Sequence, residues 1–412
     1  MRKILKNCFL LYTILFFIIV IIGYAVLFKN NLTIIWNIDG LGQYFPTFIY
    51  TGKYLQQMLI NFMQGNFCFP LYDLSIGLGE DIIGALNYYG VGDPLNLLAI
   101  FINSQNCAYI FTFMFFLRLW LAGLSFQLYC KHFRIDKYYT VIGALCYAFS
   151  GFAIYGGGMY LEWLSVLIYF PLILLGLEIV LENQSKPYLL VLAVAYGGMC
   201  GFYYLYMSSI FIIVYCVVRL YFKEGIRRYF SVAKKCILCL WWYIVGLSIS
   251  APIFIPAIQA YLKSERSSSD IIGILCNYHN YIPSFNSSVL DVFFNIFHNR
   301  KNFLSGIVIL ELIALVIIFI LPPEKQRKQL KLGILMSILS LFIPIIRYIY
   351  NGFGPLYDRW VYIIHFLLAL NLVVVCSSIS EITFRDLNNK QILINKKTIR
   401  ILVFMMIPLN IT

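Results

Sequence analysis

Residues 8–28, CFLLYTILFFIIVIIGYAVLF, run for 21 residues without a charge. At 1.5 Å per residue, a helix of this length is about 31 Å long, the thickness of a bilayer's hydrocarbon core. Comparable runs recur near 109–129, 138–155, 162–181, 187–203, 205–222, 236–256, 304–321, 332–350 and 361–379, and another begins at 401. Hydrophobic residues make up 61% of the chain and charged residues 12%, against roughly 25% charged in a soluble domain. A large water-soluble core would not impose one recurring length. The sequence therefore predicts an all-α polytopic membrane protein, a helical bundle of about 11 spans, with residues 1–412 forming a single transmembrane domain.

The formal charge of +13 does not point to nucleic acid, because the basic residues sit in short clusters at the ends of apolar runs. These are Arg2/Lys3/Lys6, Lys131/Arg134/Lys137, Arg227/Arg228 with Lys234/Lys235, Lys325/Arg327/Lys328/Lys331, and Lys390/Lys396/Lys397/Arg400. With a cytoplasmic N-terminus all of them fall on the cytoplasmic side, the positive-inside pattern. A multi-pass protein with its N-terminus in the cytoplasm is expected. The first run is too long for a signal-peptide h-region and no small-x-small site follows it, so it should stay as an anchor. Most of the 11 cysteines lie inside apolar runs, where they act as small apolar residues. The four histidines lack metal-ligand spacing, and His132 and His365 are isolated.

Two outside loops are long, 29–108 and 259–303. The first holds Asp39, Asp73, Glu80, Asp81 and Asp93. Its stretches 41–63 and 94–102 are apolar enough to lie in the interface or pack on the bundle. Between them, Gly77 to Pro94 is Gly-rich and should be irregular backbone. The chain stops at Thr412, inside what should be its last span, which suggests a piece of a longer protein.

One ordered set of motifs goes further. Asn37-Ile38-Asp39-Gly40-Leu41-Gly42-Gln43-Tyr44 is followed by Gly77-Leu78-Gly79, Gly84-Ala85-Leu86-Asn87-Tyr88-Tyr89 and Pro94-Leu95-Asn96-Leu97-Leu98. Arg118-Leu119-Trp120-Leu121-Ala122-Gly123-Leu124-Ser125 and Tyr147-Ala148-Phe149-Ser150-Gly151-Phe152 come next, with Arg359-Trp360 as a later echo. In this order the set resembles the YfhO family of bacterial membrane proteins, within the wider GT-C group of glycosyltransferases that use lipid-linked sugars. The resemblance is dense over residues 35–180 and thinner beyond. It implies a GT-C-like bundle, and transfer of a sugar from a polyprenyl phosphate to an extracytoplasmic acceptor such as a teichoic-acid-type polymer. It also implies a chain about twice this length, in agreement with the early stop. Asp39 matches the acidic residue that such relatives carry after the first helix. Relatives often have a second acid two places after the tryptophan of the fourth span, where this chain has Ser165 after Trp163; the nearest acid is Glu162.

Glycosyl transfer needs a carboxylate to take the acceptor's proton and a cation to neutralise the departing phosphate. Asp39 suits the first task, as base or as ligand to a divalent cation; otherwise it caps the helical run beginning at Gly40. Glu80, Asp81 and Asp93 are possible helpers. Arg118, deep in the second span, is expected either to bind the donor phosphate or to pair with a buried acid such as Glu178 or Glu311. Arg359 is a second phosphate candidate, its bland alternative being an interfacial anchor or a pair with Asp358. Tyr88 and Tyr89 could stack on a sugar. Competing readings are a glycolipid flippase or transporter, with Arg118, Glu178 and Glu311 lining its path, and a non-catalytic membrane assembly protein.

Overall fold

A computed structural model describes residues 7–388, apart from 134, 136, 184, 185, 225–228, 265–270, 283–306, 323, 355 and 356. The chain is almost wholly helical. Its principal helices are α1 (Cys8–Gly23), α2 (Phe45–Met63), α3 (Cys107–His132), α4 (Lys137–Ala148), α5 (Ser165–Glu182), α6 (Tyr188–Cys200), α7 (Phe202–Glu224), α8 (Tyr229–Lys263), α9 (Ile309–Ile320), α10 (Lys325–Phe342), α11 (Pro344–Tyr350) and α12 (Tyr362–Asn388).

Among the described residues, five helical stretches are long and apolar enough to cross a membrane: Cys107–His132, Leu161–Glu182, Phe202–Lys223, Phe230–Lys263 and Arg359–Ser380. Counting each of two bent pairs as one span gives up to seven, and α1, α6 and α9 are shorter apolar helices. Every predicted span before residue 380 thus meets a helix, and the run from 401 lies outside the described residues. This is an all-α membrane protein.

The bends have local causes. Pro344 has no N–H to offer the preceding turn, and it pushes Ile343 to an extended conformation (φ −103, ψ 104). The run predicted as one span at 332–350 therefore turns by 101° between α10 and α11. The run at 138–155 bends by 40° where α4 meets Phe152–Met159, beside Ser150-Gly151.

In the bundle, α5 packs against α3 and α6, α6 against α8, α4 against α1, α3 and α12, and α9 and α10 against α12. Gly123 lets α1 approach α3, because a Cβ there would occupy the Tyr12 ring. The Tyr12 hydroxyl then donates to the Trp120 carbonyl at 3.1 Å, satisfying a buried polar group inside the apolar core.

The loop 29–108 is a folded cap. Helix α2 packs on the 3-10 helix Pro94–Phe101, so the two apolar stretches cover each other. Gln56 Nε2 donates to the carbonyls of Ile100 (2.8 Å) and Ile102 (2.7 Å), and Gly52 permits the close approach to Ala99 and Ile102. A two-residue hairpin pairs β1 (Tyr72–Asp73) with β2 (Glu80–Asp81), an element that sequence periodicity does not announce. The short helix Ile82–Leu86 that follows packs on α8 and ties the cap to the bundle. Of the second loop, only residues up to 264 and 271–282 are described.

Candidate functional site

Two polar clusters lie side by side where the cap meets the bundle. The inner one is closed. Asp93 and Arg118 are both fully buried and form an ion pair, Nη2 to Oδ2 at 2.9 Å. The same Nη2 reaches Asn96 Oδ1 at 2.8 Å, Arg118 Nε donates to Ser165 Oγ at 3.1 Å, and the Ser165 hydroxyl donates to Asp93 Oδ2. Asp93 also caps the helix at Pro94, accepting from the Leu95 N–H at 2.9 Å. A charge this deep requires a partner. The expected partners were Glu178 or Glu311; instead the acid comes from the cap. Glu178 is held by Arg219 (2.6 Å), and Glu311 accepts from the Val308 N–H (3.1 Å). Arg118 and Asp93 have no exposed side-chain surface, so here they fasten the cap to α3 and α5.

Glu162 extends this cluster. Only 8% exposed, it accepts from Asn96 Nδ2 at 2.9 Å, while its Oε2 is buried without a hydrogen-bond partner. Gly90 makes room for it: its φ is +92, and a Cβ there would collide with both Glu162 and Asn96. Glu162 lies three positions before Ser165, whose hydroxyl completes the hydrogen bonds of Asp93 and Arg118.

The outer cluster is aromatic and half-buried. Asp39 does not cap the helix at Gly40, since its side chain makes no cap hydrogen bond there. Its Oδ2 instead accepts from the Tyr160 hydroxyl at 2.9 Å. The Tyr160 ring stacks on Trp163, with centroids 4.2 Å apart, and the Arg359 guanidinium lies 4.9 Å from the same Trp163 ring. Two stacked rings thus join the carboxylate to the cation. Burial, reinforced by the hydrogen bond to Asp39, pushes the Tyr160 hydroxyl up to about 12, so it stays a donor at neutral pH.

Arg359 lies at the centre of several aromatic contacts. Its guanidinium also faces Tyr203 (5.6 Å) and Tyr357 (4.6 Å), and Nη1 donates to the Tyr88 hydroxyl at 3.0 Å. The Tyr44 ring lies 5.2 Å from that of Tyr89 and 5.1 Å from that of Tyr160. The expected alternative, a pair with Asp358, does not form. Asp358 is gripped by Arg347 through two bonds of 2.8 and 2.9 Å. Among the described residues no carboxylate lies within ion-pair distance of Arg359, and its Nε is buried without a hydrogen-bond partner. Among the described residues this leaves a ring-enclosed guanidinium with donor capacity that no carboxylate uses.

The remaining predicted helpers stand apart. Asp81 caps the helix at Ile82 by accepting from the Gly84 N–H, and Glu80 is exposed in β2. For the expected divalent cation, Asp39 belongs to no group of three potential protein ligands among the described residues. Tyr160, Tyr44 and Asn96 receive no role in the sequence reading, and Glu162 enters there only as the acid nearest Trp163. The local signal was their position beside Trp163 and within the motifs at 37–44 and 94–98.

An all-helical membrane protein with a polar site beneath a folded loop is the class that these features define. The chain belongs to the YfhO family, whose description, Bacterial membrane protein YfhO, matches residues 9–410. It is similar to the Uncharacterized protein YfhO of Bacillus subtilis (strain 168), with 24% identity over 365 residues, covering 82% of this chain and 39% of that protein. The chain thus spans well under half the length of that curated relative. No solved structure matches it.

Proposed function

We propose that this chain carries the transfer site of a membrane glycosyltransferase, which moves a sugar from a polyprenyl-phosphate donor to an extracytoplasmic cell-envelope acceptor, of teichoic-acid type or similar. The protein would sit in the bacterial cell membrane with its N-terminus in the cytoplasm and the cap outside. The observation that carries this reading is an arginine without a counter-ion sharing one ring shelf with a carboxylate. Asp39 would take the proton from the acceptor hydroxyl as that oxygen bonds to the sugar's anomeric carbon. The anomeric bond to phosphate breaks, and Arg359 and the Tyr88 hydroxyl stabilise the charge left on the phosphate oxygens. Tyr160 holds Oδ2 and so leaves Oδ1 for the acceptor. The half-buried Tyr89 would offer a ring face to the sugar.

The test is transfer of radiolabelled sugar in membranes carrying the full-length protein, with and without Asp39→Asn. Loss of transfer with donor binding retained supports the reading; undiminished transfer by the variant removes it. The flippase reading would have Arg118, Glu178 and Glu311 line a path. Arg118 and Glu178 are instead engaged in ion pairs with Asp93 and Arg219, which favours the enzymatic reading.

A further inference from the structure

At the far end of α5 from Trp163, about 25 Å away at 1.5 Å per residue, two helices finish side by side. His132 is the last residue of α3, and Glu178 and Glu182 lie one turn apart at the end of α5. A nitrogen of His132 and one carboxylate oxygen from each glutamate all lie within 4.8 Å of one another. We propose that His132, Glu178 and Glu182 bind a divalent transition-metal cation of the Zn²⁺ type, which clips the ends of α3 and α5 together.

Glu178 argues for a ligand rather than a chance meeting of acids. Its side chain is 1% exposed. Oε1 is fixed from two sides, by the Tyr215 hydroxyl and by Arg219 Nε, both at 2.6 Å. Oε2 is equally buried and has no hydrogen-bond partner. A buried carboxylate oxygen left bare is costly, and Arg219 and Tyr215 hold the group so that it cannot turn away. His132 Nε2 is likewise buried without a hydrogen bond, 3.4 Å from Glu182 Oε1.

The surroundings suit a cation. Both helices end here, and the negative ends of their dipoles add to the charge of two carboxylates. Arg219 offsets only part of that. An imidazole nitrogen with two carboxylates is a donor set for zinc-like ions, whereas Mg²⁺ and Ca²⁺ prefer oxygen alone. Ligands bound at about 2.0–2.2 Å to a tetrahedral ion lie about 3.3 Å apart. The present separations therefore close with a small swing of Glu182, whose side chain is 53% exposed. The sequence hides the site because His132 lies on another helix, far from either glutamate in the chain.

The experiment uses the full chain in lipid nanodiscs, stripped with a chelator and dialysed against Zn²⁺ or Mg²⁺, with bound metal and thermal transition both measured. One zinc per chain is expected, together with a raised transition and no displacement by millimolar Mg²⁺. His132→Gln and Glu182→Gln should each weaken zinc binding at least tenfold and abolish the thermal shift. Both change residues at helix ends, so they should fold. Wild-type protein that retains no stoichiometric zinc overturns the proposal. So do variants that hold zinc as well as the wild type, or zinc that Mg²⁺ displaces freely, which would mark a mere acidic patch.

Discussion

Arg347 grips Asp358 with two bonds, Nε to Oδ1 at 2.8 Å and Nη2 to Oδ2 at 2.9 Å, and so takes the carboxylate adjacent in sequence to Arg359. The anion site proposed at Arg359 depends on that distraction. In Arg347→Gln the freed Asp358 competes for Arg359, so the dissociation constant for polyprenyl phosphate should rise about tenfold, a change of about 1.4 kcal/mol. Adding Asp358→Asn should restore it. A double variant as weak as the single one would show that Arg347 acts in some other way.

Asp39→Asn keeps the shape of the side chain and its contact with Tyr160 but removes the base. Transfer should fall by about 10²–10⁴-fold, the usual contribution of a positioned proton acceptor, with donor affinity within about twofold of wild type. Single-turnover kinetics beside a direct binding measurement separate the two effects.

Arg359→Ala should weaken donor binding by about 10–100-fold, the scale of a charge-assisted hydrogen bond. Arg359→Lys should recover only part of this, because an ammonium cannot both lie flat among Trp163, Tyr203 and Tyr357 and fork onto phosphate. Full rescue by lysine would mean that only net charge matters.

Arg118→Met strands the buried Asp93 carboxylate and should destabilise the protein by about 3–5 kcal/mol. Replacing both, Arg118→Met with Asp93→Leu, should cost less than the sum of the two single changes, since Asp93 no longer leaves a stranded carboxylate. Thermal unfolding of the four proteins in one detergent closes this cycle.

Tyr160 gives a pH signature. Its hydroxyl is raised from 10.0 in an open chain to about 12 in the fold. The folded form thus holds the proton more tightly, so its contribution is whole below pH 10 and is lost as pH rises through 12. The wild type should lose stability over that window more steeply than Tyr160→Phe, which has no proton to release. Parallel curves for the two proteins would place the hydroxyl outside any protected contact.

Much of the fold was legible because a bilayer imposes one length. The spans before residue 380 follow from counting apolar residues, and the misjudged stretches are those where a proline or Ser-Gly pair breaks a run. Asp39, Tyr88 and Arg359 were legible as residues, the first from its motif and the last as a charge at the end of a span. Their partners were not, since Tyr160 lies 121 residues from Asp39 and Arg359 lies 271 from Tyr88. No local pattern encodes such distances. Arg118 shows the opposite failure. Its depth correctly demands an acid, but the acids expected, Glu178 and Glu311, are intramembrane, whereas the cap folds inward and delivers Asp93.

The wide spacing of the ring shelf along the chain has a consequence for biogenesis. A nascent polypeptide that has been inserted as far as α10 already holds Asp39, Tyr160 and Trp163, yet has no guanidinium to close the shelf. Arg359 emerges from the ribosome only with the helix that completes the packing of α4, α9 and α10. On the proposed function, affinity for an anionic donor would thus switch on only once α12 has packed, and half-made chains in the membrane would not sequester a lipid-linked phosphate.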